Sequence, residues 1–120
     1  MTSIMTSILT TIKQMLGFEE DYTEFDVDII VLINGALMTL TQVGVGPSSG
    51  FFITSAEATW TSFLGENTEL EGVKTYIYLK VKSRFDSTLS ASVLGAIKED
   101  LAELEARLNI QAETPISGLE

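Results

Sequence analysis

Glu19, Glu20 and Asp21 stand in a row near the start of the chain, forming a dense run of groups able to hold a metal or exchange a proton. Calcium loops space their oxygen ligands at alternate positions, and acid–base catalysis needs a second group placed across the substrate. Neither pattern surrounds these three carboxylates, which read as a solvated turn. The chain has no histidine and no cysteine. That removes the imidazole base, the thiolate nucleophile and the commonest zinc ligands. Gly44, Gly46, Pro47 and Gly50 form a loop that lacks both the Gly-Lys-Ser/Thr ending and the Gly-x-Gly-x-x-Gly order of phosphate-binding loops. Lys74, Lys80, Lys82 and Arg84 are the one basic cluster, expected to be solvated flank residues paired with nearby acids. No catalytic, cofactor or metal site is expected, and the protein reads as something other than an enzyme.

Seventeen acidic residues against seven basic ones give a net charge of −10. Such a balance opposes the attraction to phosphate that drives nucleic-acid binding, and equally opposes an anionic membrane surface. The most apolar stretch, Ile29 to Leu40, is interrupted by Asn34 and Gly35 and falls short of the ~20 residues needed to span a bilayer. The N-terminus lacks a basic region ahead of its apolar residues, so no signal peptide is expected and a cytoplasmic product is. A chain of 120 residues has room for one core.

The elements that would carry this core are helical. Ile4, Met5, Ile8, Leu9, Ile12, Met15 and Leu16 recur at helical spacing, and Gly17 stands where a left-handed cap ends a helix. A second helix is expected from Glu24 to about Val43, capped by Thr23 with Asp26 in its positive first turn. Thr54-Ser55-Ala56-Glu57 has the form of a capping box opening a short helix that Gly65 closes. Leu70, Val73, Ile77, Val81 and Phe85 mark a fourth helix from about Glu69, although Thr75 to Lys82 also alternates like a strand. The last helix, about Ser90 to Asn109, carries a narrow seam of Leu94, Ile97, Leu101, Leu104 and Leu108. The expected fold is all-α: a bundle of four to five helices over residues 1–110 and an extended C-terminal tail over 111–120.

At 100° per residue, helix two places Ile29, Ile30, Ile33, Ala36, Leu37, Leu40 and Val43 on one face and leaves Val27, Val31 and Met38 on another. Two readings fit: a bundle surrounds the helix and buries both stripes, or the second stripe meets another subunit. Tyr76 and Leu79, off the core arc of helix four, join Val27, Val31 and Met38 as candidate interface residues. On the last helix Ala91, Gly95, Ala102 and Ala106 share a flank, open to close backbone approach or simply good helix formers. In the tail, Ile110, Ile116 and Leu119 are apolar, but Pro115 and their spacing prevent a helical face. An extended segment could instead lay them on a partner.

Four phrases go further than periodicity: Phe25-Asp26-Val27-Asp28-Ile29-Ile30, Gln42-Val43-Gly44-Val45-Gly46-Pro47, Tyr78-Leu79-Lys80-Val81, and Leu104-Glu105-Ala106-Arg107-Leu108-Asn109. From about Ile12 to Glu113 the chain resembles the head-tail connector (adaptor) proteins of tailed siphophages and Gram-positive prophages. The resemblance implies a structural virion protein, made in the host cytoplasm. It would form a homo-oligomeric ring of about twelve copies between the portal protein and a head-closure (stopper) or tail protein. DNA would pass through as cargo, without specific binding and without cofactors. The second stripe of helix two and the outer residues of helix four would then lie between subunits, and the tail would reach along a neighbour or the portal. An alternative for so acidic a chain is a DNA-mimicking inhibitor of a host nucleic-acid enzyme, which would need carboxylates regularly spaced on one exposed face.

Overall fold

The computed structural model describes residues 6–65 and 70–113, with side chains through residue 110. Its elements are α1 (Ile8–Met15), α2 (Asp26–Gln42), α3 (Trp60–Leu64), α4 (Leu70–Phe85) and α5 (Ala91–Glu113), an all-helical fold. Among the described residues the single β contact is an isolated bridge between Ser7 and Thr59.

Local chemistry sets most of the boundaries. The Ser7 hydroxyl accepts from the amide of Thr10 and starts α1. Gly17, at φ 99°, ends it by allowing the amides of Gly17 and Phe18 to turn back onto the carbonyls of Gln14 and Lys13. Gly44, at φ 95°, ends α2 in the same way, with the amides of Gly44 and Val45 on the carbonyls of Thr41 and Leu40. Two boundaries differ from expectation. Phe25, not Thr23, is the N-cap of α2 and supplies no side-chain cap. The capping box is Thr59 with Ser62, not Thr54 with Glu57. The reason lies upstream: the Ile8 amide donates to the Ala58 carbonyl and the Trp60 amide to the Thr6 carbonyl, which holds residues 58–60 extended and delays the helix.

α4 is the central element, packed against α2 on one side and α5 on the other. It runs antiparallel to both. Phe85 packs edge-on to Phe25 at the start of α2, and near the other end Tyr76 bonds Glu105 of α5. Packed on two sides, α4 carries apolar residues on more than one arc, which explains both its strand-like composition and its helical state. Val73, Tyr76, Ile77 and Val81 are fully buried. α5 continues through Glu113, past its expected end, and Ser90 caps its start by accepting from the Val93 amide. Residues 111–113 of the expected tail are therefore helix.

Trp60, Ile8, Ile12, Ile33, Leu37 and Leu40 form the centre of the core, where the Trp60 Nε1–H donates to Thr11 Oγ1 at 3.0 Å. Lys13 is buried at its edge. Its ammonium lies 2.9 Å from Asp26 Oδ1 and donates to the Glu20 carbonyl at 2.9 Å, tying the end of α1 to the acidic turn and the start of α2.

Candidate functional site

The second stripe of α2 faces outward. Val27, Val31 and Met38 are 73, 63 and 64 % exposed, while Ile29, Ile33, Ala36, Leu37 and Leu40 are buried. The bundle covers one face of this helix and leaves the other uncovered. A gap in the stripe, one turn after Val31, is filled by Asn34, whose side chain turns sideways. Its Oδ1 accepts from the Ile53 amide at 2.7 Å and its Nδ2 donates to the Ile53 carbonyl at 2.9 Å. This amide clamp holds residues 51–53 extended along α2. Successive side chains then point opposite ways: Phe51 turns inward onto Phe63, ring centroids 5.1 Å apart, and Phe52 turns outward, 71 % exposed. An open groove of about 500 Å³ runs between Met38 and Phe52. Sequence reasoning missed Phe52, because a loop has no period to expose it; the available signal was the adjacent Phe51-Phe52 pair after a glycine-rich stretch.

Tyr76 does not belong to this surface. It is fully buried, its hydroxyl donates to Glu105 Oε2 at 2.7 Å, and burial, with Glu105 adding to it, pushes its pKa well above the ordinary phenol value. Its position off the core stripe reflects the α5 side of a sandwiched helix. Leu79 is half-buried against the subunit's own core. Ile110 is exposed at the end of the side chains described, and Pro115, Ile116 and Leu119 lie outside the described residues. Ala91, Gly95, Ala102 and Ala106 are all exposed along α5.

Charge is arranged unevenly around the stripe. Glu19, Glu20 and Asp21 are exposed on a turn braced by Phe18, which stacks on Tyr22 and meets Phe25 and Phe85. Among the described residues no three acidic groups converge to hold a metal ion. The basic cluster divides in two. Lys74 is buried and pairs with Glu71 at 3.1 Å, and Lys82 pairs with Asp86 at 3.7 Å. The burial of Lys74 departs from the expected solvated flank. Lys80 and Arg84 have no ion-pair partner among the described residues; the Lys80 ammonium sits 5.8 Å from the centre of the Tyr76 ring. Both line a groove between α2 and α4 beside Val31 and Thr39.

These features describe a small helical protein whose outward chemistry is apolar and charged surface. The chain belongs to the phage connector protein family, which matches it over residues 8–115, from the start of α1 past the end of α5. It is thus a structural connector component of a bacteriophage. No curated protein and no solved structure matches the chain. Among the described residues no helix is long and apolar enough to cross a membrane.

Proposed function

We propose that this connector is the head-tail adaptor of a tailed phage, forming a ring of about twelve copies beneath the portal, with a head-closure or tail protein docked below. The observation that carries the reading is the uncovered face of α2. Val27, Val31, Met38 and Phe52 are large apolar side chains, each more than 60 % exposed, and grouped exposed apolar residues mark interaction surfaces. Burying each side chain against a neighbouring subunit would contribute about 1.5–3 kcal/mol before association costs are subtracted. The net charge of −10 suits a ring through which DNA slides. An acidic lumen repels phosphate within a Debye length of ~10 Å and so does not grip its cargo. The segment beyond Glu113 serves as an arm that orders on a neighbouring subunit or the portal. Assembly places the protein in the virion neck after synthesis in the host cytoplasm. Family membership favours this role over the DNA-mimic alternative.

Substitution tests the face directly. Val31→Asp or Met38→Asp should lower incorporation into phage particles at least about tenfold, the equivalent of ~1.4 kcal/mol, and yield tailless heads. Circular dichroism of the purified variants should keep the wild-type helical signal. A variant that unfolds would assign the stripe to the monomer's own stability; one that assembles normally would remove it from the interface.

A further inference from the structure

On the reading that α2 lies between subunits, we propose that the groove between α2 and α4 receives the acidic turn Glu19-Glu20-Asp21 of the next copy, with Lys80 and Arg84 as its electrostatic latch. The groove has a floor of Val31, Leu32 and Gly35 and a rim formed by Thr39, Lys80 and Arg84. A further hollow of about 410 Å³ continues it past Arg84 to Phe85 and Asp28.

Charge identifies the occupant. Copies that each carry −10 repel one another, so a contact between them needs cations placed where the partner brings acids. Of the seven cations, Lys13, Lys74, Lys82 and Arg107 are engaged in ion pairs within the subunit. Lys80, Arg84 and Lys98 are not so engaged among the described residues; Lys98 stands exposed on α5, whereas Lys80 and Arg84 stand one turn apart on α4 and border the exposed apolar stripe. The matching acids must be exposed and free of side-chain cations. Glu19, Glu20 and Asp21 meet both conditions among the described residues: the three are exposed at a turn, and the Lys13 ammonium behind them is spent on the Glu20 carbonyl and on Asp26. Tyr22, 41 % exposed beside them, would supply an aromatic contact for the apolar floor. The acids of α5 fit less well, because they lie along a straight helix and Glu103 is already bonded to Arg107 at 2.7 Å.

Where each groove takes the turn of the next copy in one sense, the contact is heterologous, as a ring of more than two copies requires. Exposed ion pairs add little affinity, but they fix which surfaces meet and in what register. Apolar burial along α2 holds the subunits; the latch sets their order.

The chain lacks cysteine, which makes disulfide trapping clean. Gly35→Cys puts a thiol in the groove, where an added Cβ meets nothing within 4 Å, and leaves both cations in place. Asp21→Cys puts one on the turn, and Ala102→Cys puts one on exposed α5. When the Gly35→Cys and Asp21→Cys proteins are mixed and oxidised, the mixed dimer should exceed its statistical share several-fold. Adding Lys80→Glu and Arg84→Glu to the groove variant should return it to the statistical share. Glu19→Lys with Glu20→Lys on the turn variant should then restore it. A statistical yield at the outset, a yield indifferent to the charge reversals, or preferential trapping of Gly35→Cys with Ala102→Cys would each overturn the proposal. Should Val31→Asp abolish particle assembly while turn-to-groove trapping fails, the α2 interface stands and only the latch falls.

Discussion

At the scale of single residues, Tyr76 links α4 to α5 through one hydrogen bond from its hydroxyl to Glu105. The bond holds only while the phenol keeps its proton, and the interior favours that form: the folded-state pKa lies above the ordinary 10.0, first through burial and then through Glu105. The sign follows. A raised folded pKa means that the native state binds the proton more tightly, so this contribution is complete below about pH 10 and declines as the pH rises beyond it. Tyr76→Phe should cost about 1–2 kcal/mol at neutral pH through the lost bond to a charged acceptor. The gap between wild type and variant should shrink above pH ~10. Urea midpoints for both proteins at pH 8 and in the alkaline range check this, and a constant gap would show that the hydroxyl carries no linkage.

At the scale of elements, the amide of Asn34 does the work of a neighbouring strand, pairing both backbone groups of Ile53 and so aiming Phe52 outward. Asn34→Ala should destabilise the fold by about 1–3 kcal/mol, since the buried Ile53 amide and carbonyl lose their partners. Hydrogen exchange at the Ile53 amide should accelerate far more than exchange in the centre of α2. Equal protection in the variant would mean that the segment is held by Phe51 and Ile53 packing alone. Most helices were legible beforehand, because Gly17 and Gly44 announce their own turns and the periods of α1, α2 and α5 are regular. The clamp was not: Asn34 reads in sequence only as an interruption of an apolar run, and its partner lies 19 residues away. The same long-range blindness misplaced the capping box, whose position depends on the pairing of residues 58–60 with residues 6–8. It also cast Tyr76 as surface, since the stripe of a sandwiched helix cannot be told in sequence from that of an exposed one. The stripe of Val27, Val31 and Met38 was legible as a second apolar face, but whether the bundle covers it was not; the structure leaves it exposed.

For the whole molecule, the residues that build the core and those of the proposed interface are different sets. The core runs through α1, α3 and the inner faces of α2, α4 and α5, whereas the outward stripe and the acidic turn add little to it. The proposed arm beyond Glu113 sits with the second group: docking Ile116 and Leu119 on a partner would cost about 1–2 kcal/mol of chain entropy per residue fixed. Removing residues 114–120 should leave the melting temperature nearly unchanged, yet weaken attachment to portal-bearing capsids and raise the fraction of heads without tails. A truncated protein that supports normal plaque yield would show that the segment has no docking role.

The division has an optical corollary. Trp60 is the sole indole in the chain, wholly enclosed, with its N–H donating to Thr11 Oγ1. Its emission therefore comes from the folded interior. The protein carries a built-in fluorophore that registers the integrity of each subunit.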